Sequence, residues 1–191
     1  MREAIVKKAR MSTRAINIEE YLAHEERSEW RHEYIDGRMY ARAESTAAHN
    51  LIATALAFGL IPAARRKGCH VFTSAMKLRL EIGGKTVFYY PDLLLSCDPQ
   101  DRAPYFRRAP CLIVEVLSES TARIDRREKL LAYQTLPSLQ TYVLLEQDVV
   151  RAEVYRRATG WRVEYVEQGS IRIDCLDIDL PLADVYADVQ I

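Results

Sequence analysis

The sequence predicts a single α/β (α+β) domain in which helices flank a mixed central sheet and extra antiparallel strands follow at the C-terminal end. Two observations lead to this prediction. Strand-length apolar runs recur along the chain, and the runs 92–96 and 111–117 are apolar on both faces, as in strands covered from both sides. The 191 residues can also bury one sizeable core, and no linker rich in proline, glycine or serine divides them.

The predicted domain spans residues 17–191, and the basic residues 1–16 show no clear period, which favours a flexible N-terminal tail. Asn17 and Glu20 have capping-box spacing and predict a short helix through about Glu26. Asp36-Gly37 lies between two strand-like segments and predicts a tight hairpin turn. Helical spacing from 45 to about 59 predicts a helix packed on the sheet, which Pro62 bends or restarts.

The rest of the chain is predominantly strand-like. Strands are predicted at 71–80, 86–90, 92–96, 111–117, 142–146, 149–155, 161–166 and 171–175. Asp125 and Glu128 again have capping-box spacing, so a helix is expected to begin at Asp125. A short final helix is expected over 179–185.

Composition limits the classes of function. Lysine plus arginine and aspartate plus glutamate number 27 each, so any electrostatic contact with nucleic acid has to be local. The four cysteines are widely spaced without a CxxC pair, so no structural zinc is expected. The cysteines are expected to be reduced and to behave as small hydrophobic side chains. The chain shows no signal peptide and no apolar run judged long enough to cross a bilayer, so a cytoplasmic protein without membrane contact is expected.

Two acidic residues interrupt the apolar runs. Asp92 begins one run and Glu115 lies near the end of the next, while Lys129 follows on the predicted helix. An unpaired buried charge is costly, so such carboxylates usually bind a metal, pair with a cation or become protonated. The alternative is structural: Asp92 would cap a turn after Pro91, and Glu115 would form an ion pair with Lys129.

This order of residues resembles the PD-(D/E)xK nuclease superfamily, and more closely the Uma2 (DUF820) family within it. The resemblance rests on Pro91-Asp92, on Glu115 to Ser118 and on Lys129, and extends over roughly residues 18–160. It also includes the segments 33–37, 48–50, 125–133 and 136–138. One departure from the superfamily is Leu117, which stands where the ExK motif has its lysine. Lys129 resembles a migrated replacement.

The resemblance implies a restriction-endonuclease-like fold and a metal site. Asp92, Glu115 and the backbone carbonyl of Val116 would bind Mg²⁺, for which Mn²⁺ may substitute. Glu33 would be a further ligand or an outer acid, and His49 a site residue. Lys129 would orient or deprotonate the attacking water, or hold the phosphate, since burial near a metal can lower the pKa of a lysine.

The leading interpretation is therefore a Mg²⁺-dependent endonuclease that hydrolyses phosphodiester bonds in DNA. A homodimer is expected, because two symmetric sites most simply cut both strands of a duplex. The alternative is a non-cleaving nucleic-acid-binding or assembly module that kept the fold. Balanced charge favours this alternative, whereas the retained carboxylates favour the nuclease; hydrolysis of another phosphoester is a third possibility.

Overall fold

The protein is seen here as a computed structural model that describes residues 14–42, 45–119 and 121–191. Within these ranges the strands are β1 (His32–Ile35), β2 (Arg38–Ala41), β3 (His70–Thr73), β4 (Lys77–Ile82), β5 (Lys85–Tyr89), β6 (Leu93–Ser96), β7 (Phe106–Arg107), β8 (Pro110–Val116), β9 (Thr141–Leu145), β10 (Ala152–Arg156), β11 (Val163–Val166), β12 (Ser170–Ile173) and β13 (Ile178–Pro181). The α-helices are α1 (Ile18–Arg27), α2 (Ala47–Arg66), α3 (Ala122–Ile124), α4 (Leu130–Gln134) and α5 (Leu182–Val185). A π-helical turn (Asp125–Lys129) joins α3 to α4, and a 3₁₀ turn (Arg157–Thr159) follows β10.

A six-stranded mixed sheet forms the centre of the fold, in the order β11-β10-β9-β8-β6-β3. Strands β8 and β9 are parallel, while the other neighbours in this sheet are antiparallel. A parallel pair requires a crossover, and here it is the segment from α3 through the π-helical turn to α4. All seven residues of β8 are buried, which confirms the prediction of a central strand covered on both faces.

Packed layers cover both faces of this sheet. On one face, α2 and α5 enclose the first core, which includes Leu56, Leu93, Val114 and Val143. On the other face, α4 and the five-stranded sheet β2-β1-β5-β4-β7 enclose a second core. The β12-β13 hairpin provides antiparallel strands at the C-terminal end, as predicted, but β13 occupies the start of the expected final helix, which is limited to α5.

Helix α2 is longer than the sequence predicts. It begins after Thr46, whose side chain accepts the His49 N–H at 3.1 Å, and continues without interruption through Pro62. Buried residues on both sides of Pro62, among them Leu60 and Ala63, hold the helix to the first core. By length and composition α2 could also cross a bilayer, contrary to expectation, although core helices of soluble proteins pass the same test.

The N-terminal elements follow their local signals. Asn17 and Glu20 form the predicted capping box, with bonds of 2.8 and 2.9 Å. Asp36 and Gly37 turn the β1-β2 hairpin with φ values of 48° and 85°, as in the turns that favour such dipeptides. Most of the predicted tail 1–16 lies outside the described residues, but Ile16 N–H donates to the Gly37 carbonyl at 3.0 Å.

The cysteines do not follow the sequence expectation. Instead of remaining reduced, they form two disulfides, Cys69–Cys97 and Cys111–Cys175. The Sγ atoms of Cys97 and Cys111 are only 3.8 Å apart, so all four cysteines converge beside the central sheet. Partners separated by 28 and 64 residues meet through tertiary folding, which spacing along the chain does not reveal.

Candidate active site

The two predicted carboxylates lie side by side at the same end of β6 and β8. Strand pairing places Leu93 opposite Val114, which brings the preceding Asp92 level with Glu115. The Val116 N–H donates to Asp92 Oδ2 at 2.8 Å. Asp92 and Glu115 are only 3% and 2% exposed, so the fold has taken two acidic groups out of water on adjacent strands.

Asp92 is neutralised by two cationic or potentially cationic side chains. Arg42 Nη2 lies 2.9 Å from its Oδ1, and His49 Nε2 lies 2.9 Å from its Oδ2. Burial alone would raise the pKa of Asp92, but His49, the Val116 N–H and Arg42 together outweigh burial and hold it below its usual range. The structure therefore brings His49 into the site, and Asp92 binds the Val116 N–H of β8.

Glu115 has a different environment. Its Oε1 accepts hydrogen bonds from Lys129 Nζ at 3.0 Å and from the Tyr133 hydroxyl at 2.8 Å. Burial raises the pKa of Glu115 to about 8 against the opposing effect of Lys129, and the charges of Asp125 and Asp92 raise it further. Glu115 therefore takes up a proton more readily than an ordinary glutamate, even with Lys129 against it.

Lys129 is surrounded by three acidic groups. Its Nζ lies 3.0 Å from Glu115 Oε1, 3.0 Å from Asp125 Oδ1 and 3.4 Å from Glu33 Oε1. Burial alone would lower the pKa of Lys129, but these carboxylates outweigh it and raise the pKa well above its usual range. The expectation of a lowered pKa is therefore wrong for this arrangement, and Lys129 is a charged ammonium group.

The position of Lys129 agrees with only part of its prediction. It lies beside Glu115, but the ion pairs of Asp92 are to Arg42 and His49, and in the described part of the chain Lys129 forms none with Asp92. The two carboxylates are thus neutralised separately.

The predicted helix start at Asp125 is also wrong. Asp125 has helical backbone angles, φ −64° and ψ −42°, and the helical segment begins earlier, at Ala122. The Asp125 carboxylate is paired with Lys129 one turn later, so it is not available to cap a helix. The π-helical turn between them carries Lys129 towards the end of β8, as π-helical turns often do at functional sites.

Three site residues escaped prediction. Asp125 and Tyr133 flank Lys129 at four-residue spacing, and that spacing on one helical face could have indicated them. Tyr133 packs in the second core, and its hydroxyl also donates to Glu115. Arg42 follows β2 and contacts Asp92 across 50 positions, a contact for which the sequence offers no local signal.

The donor atoms determine the chemistry available here. Carboxylate oxygens from Asp92, Glu115 and Glu33 are hard ligands of the kind that Mg²⁺ prefers, and Lys129 adds a fixed positive charge. Such a set can neutralise a phosphate and orient a water molecule. The fold and this buried acid–lysine cluster together define the class of restriction-endonuclease-like, nuclease-type proteins.

Comparison with known proteins agrees with that class. The model of the Uma2 family, described as "Putative restriction endonuclease", matches residues 18–183. The chain belongs to the Uma2 family, as its sequence motifs indicated.

Relatives by sequence and by structure extend the comparison. Two uncharacterised proteins of Synechocystis sp. are 36% identical over 143 residues and 32% identical over 149 residues. The first alignment covers 74% of both chains, and the second covers 76% of this chain and 83% of its relative. The crystal structure of a "putative nuclease belonging to DUF820" from Anabaena variabilis has a TM-score of 0.68 at 15% identity. That match covers 84% of this chain and 92% of the other, and it shows a shared fold.

Proposed function

We propose that this protein is a divalent-metal-dependent endonuclease that hydrolyses phosphodiester bonds in DNA. The observation that supports this most is the pair Asp92 and Glu115, buried side by side with the cation Lys129 against Glu115. Membership in a family of nuclease type gives the reaction class. A purely structural ion pair needs neither the second carboxylate nor the additional acids Glu33 and Asp125 around Lys129.

The residues fit a hard divalent cation such as Mg²⁺, with Mn²⁺ as a substitute. Among the described residues, Glu115 Oε2 accepts no hydrogen bond, and burial, with the charges of Asp125 and Asp92, raises the pKa of Glu115 despite Lys129. We assign Asp92, Glu115 and the carbonyl of Val116 as ligands. Because Arg42 and His49 occupy the oxygens of Asp92, at least one of them has to give way when a cation binds.

The bound cation would neutralise the phosphate and acidify a water molecule. The chain's own residues would complete the reaction. Lys129, held as an ammonium group, would hold a phosphate oxygen or orient the attacking water, and its raised pKa disfavours a role as general base. Glu33, 3.4 Å from Lys129, would fix the ammonium group or bind an outer-sphere water. His49 would be available to DNA or water once it leaves Asp92.

The decisive experiment is a cleavage assay on supercoiled, linear, single-stranded and branched DNA with Mg²⁺, with Mn²⁺ or with chelator. We expect cleavage only with a divalent ion and none by Asp92→Ala. Lys129→Ala should cut more slowly by roughly two to four orders of magnitude while still binding the metal. Calorimetry with a phosphodiester analogue present measures that binding.

Matched variants separate chemistry from folding. Lys67→Ala removes an exposed lysine at the end of α2 and should cut at the wild-type rate. Lys129→Arg keeps the buried positive charge beside Glu115 but moves it, so it should fold and still cut poorly. Wild-type protein that binds DNA but neither binds divalent ions nor cuts any of the substrates would favour the non-cleaving binding module.

We also propose a cytoplasmic homodimer as the working form. The motivation is functional, since two symmetry-related sites would cut the two strands of a duplex. Substrate preference would follow from assembly: a monomer favours nicking or single-strand cleavage, whereas a dimer favours double-strand cleavage. Fractionation of cells tests the cytoplasmic location. Measurement of the oligomeric state in solution tests the homodimer.

A further inference from the structure

A second cluster of metal-binding side chains lies between α1 and β1 and shares no residue with the proposed nuclease site. Glu25 Oε1 lies 2.8 Å from His32 Nδ1, and the rings of His24 and His32 meet edge to face with centroids 5.2 Å apart. One potential ligand atom from each of His24, Glu25 and His32 lies within 4.8 Å of the other two. These three residues are called the His-Glu-His cluster below.

The cluster contains an unsatisfied polar atom. His24 Nε2 is buried, and it has no hydrogen-bond partner in the described part of the chain. A buried nitrogen normally has a partner, so an unsatisfied one points to a ligand such as a metal ion. Glu25 is 2% exposed, and among the described residues its only ion pair is with His32, so the charge of Lys77 acts on this carboxylate only from beyond ion-pair distance.

Hydrogen bonds outside the cluster fix its ligand atoms. Glu25 Oε2 accepts from the Tyr90 hydroxyl at 2.5 Å and from the His32 N–H at 3.3 Å, which turns Oε1 towards the histidines. The Tyr21 hydroxyl donates to the His32 carbonyl at 2.8 Å and holds the backbone of that residue. Outer hydrogen bonds of this kind orient the ligands of metal sites and contribute to metal affinity.

We propose that the His-Glu-His cluster binds one divalent transition-metal ion of the Zn²⁺ class. The ligands are His24 Nε2, Glu25 Oε1 and His32 Nδ1, and water completes the coordination. Two imidazoles and one carboxylate favour Zn²⁺, Co²⁺ or Ni²⁺ over Mg²⁺, in contrast to the all-oxygen set of the proposed nuclease site. The ion takes the place of the hydrogen between Glu25 Oε1 and His32 Nδ1, and a neutral His32 then carries its ring hydrogen on Nε2.

The location of the cluster suggests what the ion does. His24 lines a surface cavity of about 250 Å³, so the ion can reach the cluster from solvent past a half-buried side chain. The ion would tie α1 to β1, the strand that also carries Glu33 immediately after His32. It therefore stabilises the N-terminal elements and the position of Glu33, whether or not the protein cleaves DNA.

The test is a Zn²⁺ titration of chelator-treated protein in excess Mg²⁺, followed by competition with a chromophoric chelator and by thermal melting. We expect one Zn²⁺ per chain and a higher melting temperature. His24→Ala should weaken Zn²⁺ binding by roughly a hundredfold or more, since even outer-sphere changes cost ten- to a hundredfold. Without metal, His24→Ala should melt no lower than the wild type, because its Nε2 makes no hydrogen bond among the described residues.

Three controls locate the ion. His70→Ala removes an exposed histidine on β3 and should bind Zn²⁺ as the wild type does. Asp92→Asn disables the proposed nuclease site and should also leave Zn²⁺ binding unchanged, which separates the two proposals. Co²⁺ should give visible bands without thiolate charge-transfer bands, because the four cysteines form disulfides. Wild-type protein that binds no Zn²⁺, His24→Ala that binds it equally well, or a thiolate spectrum would each overturn the proposal.

Discussion

Burial gives Glu115 a pKa of about 8, compared with an ordinary value of 4.5, so the folded state binds more protons than the unfolded state between these pH values. The contribution of Glu115 to stability is therefore fully present below about pH 4.5 and is lost as pH rises through about 8. Glu115→Gln removes this titration. We expect the unfolding free energy of metal-free wild type, relative to Glu115→Gln, to fall steadily over that range in urea titrations.

The same pH comparison with a divalent ion present tests whether the ion binds at Glu115. Mg²⁺ or Mn²⁺ bound at Glu115 would favour its ionised form, so the pH dependence of the wild type should become flatter when the ion is present. The pH dependence of the unfolding free energy of Glu115→Gln should change little when the ion is added. If the unfolding free energies of the wild type and of Glu115→Gln depend on pH in the same way without metal, the raised pKa of Glu115 is wrong.

Residue-scale prediction succeeded where a polar group interrupts an apolar pattern. Asp92 and Glu115 stand out because carboxylates are rare inside buried strands, and the structure places both where their strands predicted. Arg42 and the charged state of Lys129 could not be foreseen, because both depend on side chains that meet only after the sheet and the crossover have formed.

At the scale of elements, turns and caps with short-range signals were predictable. The Asn17 capping box and the Asp36-Gly37 hairpin formed as expected, because each depends on neighbours a few residues away. The same rule failed at Asp125, where a lysine one turn later attracts the carboxylate more strongly than the backbone does. Capping patterns are therefore reliable only where no tertiary or helical ion pair competes.

The β1-β2 hairpin allows a matched test of its glycine. Gly37 has φ +85°, and a Cβ there would lie 2.9 Å from Ala15 Cβ. Gly84 has a similar φ of +77° but nothing within 4 Å of its Cβ position. Each alanine variant should lose about 1–2 kcal/mol of stability from the left-handed backbone, and Gly37→Ala should lose more because of the added contact. Equal losses in chemical denaturation would show that Ala15 moves aside freely.

At the scale of the whole molecule, the sequence predicted the layers but not their covalent links. A mixed sheet between helices follows from the pattern of apolar runs, and the structure has that arrangement. The two disulfides unite Cys69 with Cys97 and Cys111 with Cys175 through the packing of distant elements. Residues that are far apart in the chain can be paired only when the topology is known.

The edge of the central sheet offers a surface for the proposed homodimer. Strand β11 ends the six-stranded sheet, and Val163 and Tyr165 on it are 41% and 61% exposed. An edge strand with exposed apolar side chains is suited to pair with a second copy, whereas a lysine on such an edge opposes pairing. Tyr165→Lys should therefore convert a dimer into a monomer in light scattering at micromolar concentration.

Leu131→Lys, at a 67% exposed position on α4, is the control and should remain dimeric. If the wild type is monomeric, the dimer is wrong and nicking or single-strand cleavage becomes the expected activity; if both variants stay dimeric, the contact lies elsewhere than β11.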